Sequence, residues 1–351
     1  MNEGHDRASG SHDAASGIDV LSDVLRSVRL TGSMLFLVDA TTPWVSWAPR
    51  AEAFRRLVLP ASQHLVSYHV VTRGRCWAGL RGASPELFEA GDVLVVPHGD
   101  AYFLADPPDA EATYGLDDAV TFFRRMAAGE LPSVVSEGGG GAQRTQFICG
   151  FLGCDRRPFN PVLAALPTTI HLRGACRSVD PMRHLIEFAL GELREPRPGS
   201  QDVLLRLAEL MFVEVVRRHV ETMPETGTGW LAGLRDPLVA RALALLHGAA
   251  ARRWTLDALA VQAGCSRSVL AERFSRLVGQ PPMQYLTQWR MQLAARLLVE
   301  QGAKVVAVAD AVGYESEASF SRAFKRTVGV APSVWAGASA SAAAAGRCRP
   351  R

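Results

Sequence analysis

Two stretches of this chain repeat each other about fifty residues apart, and that duplication limits the fold more than any other feature. Ala260-Val-Gln-Ala-Gly264 aligns with Ala309-Asp-Ala-Val-Gly313 at an offset of 49. Phe274, Gly279 and Pro282 then recur as Phe324, Gly329 and Pro332 at an offset of 50, so one extra residue falls in or just after the second turn. Helix start and stop signals surround both copies. Asp236-Pro237 offers an N-cap and a first-turn proline for a helix through Leu238 to His247. Thr255 caps a short helix ending at Gly264, and Ser266 caps the next, ending at Gly279. A long helix follows Pro281-Pro282 to about Glu300, a short one runs from about Val305 to Val312, and Ser316 caps a last one stopped by Gly329. Each copy reads as short helix, glycine turn, capping serine and a second helix carrying Arg and a core Phe. That is helix-turn-helix grammar: the turn glycine takes positive φ, and the second helix is free to enter a major groove.

Charge supports the same reading. The net charge of +3 divides into 16 Lys+Arg against 7 Asp+Glu from Arg235 to Arg351, and 22 against 28 in the remainder. A basic module attached to an acidic one suits a polyanion partner, and the basic residues are Arg apart from Lys304 and Lys325. At 351 residues and 48% hydrophobic content the chain suits two ordinary domains. No apolar run reaches the roughly 20 residues of a membrane span, and Met1 to Gly17 is polar, without the apolar core of a signal peptide. We therefore expect a cytoplasmic protein with no membrane partner.

The stretch Gly313-Tyr-Glu-Ser-Glu-Ala-Ser-Phe-Ser-Arg-Ala-Phe-Lys-Arg-Thr-Val-Gly329, with Pro332 and Trp335, resembles the signature of AraC/XylS-type regulators; Leu259-Ala260, Gly264, Ser266 and Phe274 resemble that family's first unit. The resemblance covers about residues 236–336. It implies a seven-helix domain in which a long central helix holds two recognition helices about one DNA turn, roughly 34 Å, apart. In the first unit the outward positions are Arg267, Ser268, Ala271 and Glu272; family analogy makes Ser268, Ala271 and Glu272 base-facing. Ala271 offers only methyl contact, and Glu272 departs from the basic or amide residue expected there, leaving acceptance from cytosine or pairing with Arg276. In the second unit Glu317, Ser319 and Arg322 face the groove, with Arg322 the best candidate for a bidentate guanine contact. Lys325, Arg326, Arg276 and Arg290 suit phosphates, as do the helix N-termini capped by Ser266 and Ser316.

Upstream, from about Ile18 to Asp106, short apolar runs alternate with Gly, Pro and Asp, as in a β-sandwich or barrel. His69-Val-Val-Thr-Arg-Gly74 and Glu89-Ala-Gly-Asp-Val-Leu-Val-Val-Pro97-His98-Gly99-Asp100-Ala-Tyr102 are similar to the cupin barrels fused to many such regulators. Tyr102 stands where a second-motif histidine would fall, which argues against an ordinary cupin metal site. The sensor candidates are His69, Cys76, His98, Tyr102, Cys149 and Cys154. Two thiols five residues apart in Cys149-Gly-Phe-Leu-Gly-Cys154 leave four readings open: a disulfide, a redox sensor, a Zn²⁺ site completed by Cys76 or a His, and plain buried thiols. The remaining cysteines, Cys176, Cys265 and Cys348, show no paired spacing. Pro181 to Glu195 and Gln201 to Met223 have helical spacing, and Leu204, Leu207, Met211 and Val215 form a stripe suited to packing in its own domain or on a twin helix.

The expected architecture is α+β in two domains: an N-terminal cupin-like β-barrel with dimerisation helices, and a C-terminal all-α domain with two helix-turn-helix units. The boundaries are a disordered arm over 1–17, the sensor barrel over 18–175, a helical dimerisation segment over 176–223, a linker over 224–235, the DNA-binding domain over 236–336 and a disordered tail over 337–351. The expected function is a transcription regulator with RNA polymerase as a partner, activator or repressor being left open. It acts as a homodimer on double-stranded DNA and responds to a small molecule or oxidant. A cupin enzyme with an accessory nucleic-acid domain requires a complete His/Glu set that cannot be assembled, and a constitutive architectural protein requires an unresponsive barrel.

Overall fold

The computed structural model describes residues 18–28, 30–112, 114–174, 180–224, 226–300 and 302–337. The arm expected over 1–17, the tail from 338 onward, and Cys176 and Cys348 lie outside the described residues.

The N-terminal strands stack as two sheets, and β3, β6 and β9 are buried along nearly their whole length because both faces of their sheet are covered. In the larger sheet β1 (Leu30–Thr41), β3 (His64–Arg73), β6 (Val93–Val96), β8 (Val134–Gly138), β9 (Arg144–Cys154) and β10 (Ile170–Leu172) run in the order β10-β6-β3-β9-β1-β8. The smaller has β2 (Trp44–Ala48), β4 (Arg75–Leu80), β5 (Glu86–Glu89) and β7 (Tyr102–Asp106) in the order β2-β7-β4-β5. All neighbouring pairs are antiparallel except β1 with β8. Apolar residues from both sheets, among them Phe36, Leu104, Phe147 and Phe151, form one core between them. The closed barrel expected from the sequence is not formed: among the described residues no ladder joins an edge of one sheet to an edge of the other. Period-two alternation is the same in a sandwich and a barrel, so the strand pattern does not distinguish them.

The outer face of the larger sheet is covered by α5 (Pro181–Arg194) and α6 (Ser200–Thr222). Leu204, Leu207, Met211 and Val215 are all buried there, in one core with Tyr68, Val70, Val93 and Val95 of the sheet. Burying one such side chain stabilises by about 1.5–3 kcal/mol, so this stripe is committed to its own domain. Of the two readings of the stripe, its own domain or a twin helix, the fold takes the first. Buried charge fixes the pair further: the Arg218 guanidinium donates to Asp180, the N-cap of α5, and to Glu214 at 3.0 Å.

The C-terminal helices are α8 (Pro237–Gly248), α9 (Leu256–Ala263), α10 (Arg267–Val278), α11 (Pro282–Glu300), α12 (Val305–Ala311) and α13 (Glu317–Val328), followed by a helical turn over 332–337. Their caps are those read from the sequence. Asp236, Thr255, Ser266 and Ser316 accept backbone N–H groups at helix starts, and Gly264, Gly279 and Gly329 end helices with positive φ. Gly313 has a second reason to be glycine. At φ +80° a Cβ would stand 2.1 Å from the Ala251 carbonyl oxygen, so the second turn abuts the loop after α8.

Two segments join this domain unannounced. The expected linker contains α7 (Trp230–Arg235), whose Trp230 and Leu231 are buried and whose Trp230 Nε1 donates to Tyr285 Oη at 2.9 Å. Gly227 and Gly229 signal a break, but the apolar pair after them must be buried. At the other end of the chain, α1 (Val20–Ser27) docks on α8 and α11 rather than on the sheets alone. Asp23 Oδ2 lies 2.7 Å from His247 Nδ1, and Gln292 Nε2 donates to the Ser27 carbonyl at 2.8 Å. The same Gln292 accepts from the Phe159 N–H at 3.0 Å, ahead of α4 (Pro161–Ala165).

Candidate nucleic-acid interface and sensor cavity

Each helix-turn-helix unit presents one capped helix outward. In α10, Arg267, Ser268, Glu272 and Arg276 are exposed and Ala271 is half-buried, while Leu270, Phe274 and Leu277 face the core. Ser266 Oγ accepts from the Val269 N–H at 3.3 Å, and Arg267 pairs with Asp257 at 3.4 Å across the turn. In α13, Glu317, Arg322, Lys325 and Arg326 are exposed, while Phe320, Ala323 and Phe324 are buried. Arg322 makes no ion pair among the described residues. Ser319 is half-buried and its hydroxyl donates to the Ser316 carbonyl at 2.8 Å, tying it to the cap.

Arg290 does not stand with the others. Its guanidinium donates to the Ala250 and Arg252 carbonyls, each at 2.8 Å, and lies 5.7 Å from the ring centre of Tyr314. These contacts tie α11 to the loop after α8 and to the turn before α13. The Arg290 Nε and one Nη are bonded to carbonyls in the loop that follows α8. A further cation that the sequence reading passed over is Arg253, exposed and paired with Glu315 at 2.6 Å.

The sensor candidates separate into two groups. His69, Tyr102 and Cys149 converge on a cavity of about 760 Å³ between the sheets, closed on one side by α3 (Leu116–Ala127). His69 Nδ1 is 3.2 Å from Cys149 Sγ, and the His69 and Tyr102 ring centres are 4.9 Å apart. Cys76, His98 and Cys154 do not line it. His98 Nε2 is bound to the Leu166 carbonyl at 2.9 Å. Cys149 belongs to the core between the sheets and Cys154 to the core under the helices. Five residues along a strand is an odd step, which places the two thiols on opposite faces. The Cys149–Cys154 disulfide and the shared Zn²⁺ site are therefore both overturned. Cys76, Cys149, Cys154 and Cys265 are free thiols, and no group of metal ligands occurs among the described residues.

Electrostatics argue the same way about redox sensing. Burial, with the nearby charges of Glu137 and Cys76, pushes the Cys149 thiol well above its ordinary value. Burial pushes Cys76 and Cys154 up to about 12 and holds His69 down at about 3. The His69–Cys149 pair is thus neutral, and a thiol held protonated is a poor nucleophile toward oxidants.

Sequence reasoning missed the rest of the cavity. Its walls include Trp44 and Trp47 of β2, Tyr114, Phe122 and Phe123 near or on α3, and Glu137 of β8. Trp44 Nε1, His69 Nε2 and Glu137 Oε2 are buried without a hydrogen-bond partner; so is the Tyr102 hydroxyl, with Ser67 close by. Burial alone pushes the Glu137 carboxyl up to about 7. The helical spacing of Leu116-Asp-Asp-Ala-Val-Thr-Phe-Phe after Gly115 was a usable signal for α3; nothing local marks Glu137 or Trp44 as neighbours.

Two outward recognition helices on one scaffold, beside a sheet domain enclosing a cavity, define a DNA-binding regulator with a cupin-type N-terminal domain. Residues 19–221 match the Cupin family and residues 259–338 match a helix-turn-helix domain family. A putative AraC-like transcription regulator of Streptomyces lividans is 35% identical over 90% of this chain and 97% of its own. The transcriptional regulator AlkR of Acinetobacter baylyi is 30% identical over 88% of this chain and 96% of its own. The crystallised DNA-binding domain of AdpA, in complex with a target DNA, is 31% identical, covering 29% of this chain and 92% of that one, with a TM-score of 0.28. The chain belongs to the AraC family of DNA-binding transcription regulators. No helix among the described residues is long and apolar enough to cross a membrane.

Proposed function

We propose that this regulator reads promoter DNA with α10 and α13 and adjusts that reading to a small molecule held between its two sheets. The observation that carries the proposal is the 760 Å³ cavity, an ordinary size for a small-ligand site, with buried polar atoms left unpaired on aromatic walls. Unpaired buried polar groups cost about 1–3 kcal/mol each, a cost that a bound ligand or water removes. Transmission has a physical route, because the core under the helices is continuous from β3 and α6 through α1 and α7 to Phe274 of the first unit. A ligand that alters how the sheets pack acts on the placement of α10 relative to α13.

Ala119 of α3 is buried and lines the cavity, so Ala119→Trp places an indole in it. On a site obtained by binding-site selection, the variant should keep its DNA affinity and lose its response to extracts or compounds that shift the wild type. An unchanged response would remove the cavity from the signal path. For the DNA face, Arg322→Ala should cost about 1–3 kcal/mol on the selected site and relax preference at one base pair. Selection with the variant that returns the same preferred sequence would end the assignment of Arg322 as a base reader.

A further inference from the structure

The charge and surface of the cavity identify its ligand class more closely. We infer that the cavity takes a lipophilic organic cation, held against the aromatic walls with its charge toward Glu137. This inference rests on the small-molecule reading above. Three carboxylates line the space, Glu137 inside and exposed Glu111 and Asp118, and no Lys or Arg does among the described lining residues. Asp118 is occupied, accepting the Gly115 N–H at 2.9 Å as the cap of α3, and Glu111 is exposed to solvent, so Glu137, with a buried and unpartnered Oε2, is the acid inside the space left for a ligand.

An unpaired carboxylate in an apolar space is costly to ionise, and an anionic or carboxylated ligand beside it would be repelled. A neutral hydrocarbon would leave Glu137, Trp44 Nε1 and His69 Nε2 without partners. A cation restores the partner that Glu137 lacks, and aromatic faces attract positive charge through their quadrupoles. The protein already uses this attraction nearby: exposed Arg81 lies over Trp47, 5.2 Å from the ring centre. Trp47 lies between Arg81 and Tyr114, while Trp44 is stacked on Phe147 and Phe123 on Phe54, so Phe122 and the remaining faces of Trp44 and Phe123 are the walls left for a ligand. Trp44 Nε1–H would also donate to an ether or carbonyl oxygen on the ligand. His69, neutral and bonded to Cys149, adds no positive charge to oppose binding.

Two ions of the same shape and opposite sign test the charge directly. Calorimetric titration of the full-length protein with tetraphenylphosphonium and with tetraphenylborate should show the cation binding at least tenfold tighter. Glu137→Gln should weaken the cation about tenfold and leave the borate unchanged or slightly tighter. Equal or tighter binding of the borate to the wild type overturns the inference, whatever the stability of the variant. Unchanged cation affinity in a folded Glu137→Gln protein overturns it as well. Binding of neutral naphthalene with neither ion bound would keep the small-molecule reading and discard the cation. Absence of binding by all three probes would discard both.

Discussion

Phe324→Ala should release one DNA-reading unit from the molecule while leaving the other folded. Phe324 is fully buried in a small core made by the C-terminal half of α11 with α12 and α13, near Phe320 at 5.5 Å and Trp335 at 6.3 Å. That core is separate from the main one. Phe→Ala in such a site costs about 3–5 kcal/mol, a large share of what so small a cluster can supply. Its repeat partner Phe274 is equally buried but sits in the continuous core that reaches α1, α6 and the larger sheet. Hydrogen exchange should therefore speed up in α12 and α13 alone for Phe324→Ala, and across α1 and α7 through α10 for Phe274→Ala. A uniform acceleration in both variants would show that the two units unfold as one. The internal repeat is thus symmetric in sequence and asymmetric in support: the first unit is fused to the sensor and the second hangs on α11.

Acidification should destabilise the wild type below about pH 6.5, and more steeply in Glu137→Gln. Burial depresses His64, His69 and His247, so each binds a proton more readily unfolded than folded. Their contribution is fully present above 6.5 and is lost as pH falls. For His69, held at about 3, the loss between pH 6.5 and 5 is about 2 kcal/mol. Glu137 acts in the opposite sense. Raised from 4.5 to about 7, it contributes stability below 4.5 that is lost as pH rises through 7. Between pH 7 and 5 it offsets one histidine, and Glu137→Gln removes about 2–3 kcal/mol of that offset. Calorimetric melts at pH 5, 6, 7 and 8 check both slopes. A wild-type Tm that rises on acidification would contradict the histidine assignment, and parallel profiles for wild type and variant would contradict that of Glu137.

The features legible in the sequence were those written in local chemistry. Serine and threonine caps, glycine stops and the repeated Phe positions located α9 to α13 to within a residue or so, because capping and positive φ depend on one or two neighbouring residues. Arg322 stands exposed as expected, whereas the anchoring contacts of Arg290 were not legible, because its carbonyl partners lie some forty positions away and its sequence neighbourhood resembles any basic helix. For the thiol pair four readings stayed open for a simpler reason: a span of five looks close on paper, but on a strand it crosses the sheet, and plain buried thiols are the reading the fold takes.

Sequence by itself determined the duplicated helix-turn-helix units, the polarity of their outward faces and the β-rich character of the first domain. Only the tertiary structure decided that two open sheets enclose a cavity, that the stripe on α6 covers its own sheet, and that α1 and α7 bind the reading domain to the sensor domain. The physical reason is range. Caps and turns are settled by backbone hydrogen bonds within a few residues, whereas Trp44, His69 and Glu137 meet only because β2, β3 and β8, strands of two different sheets, are brought together by a shared core.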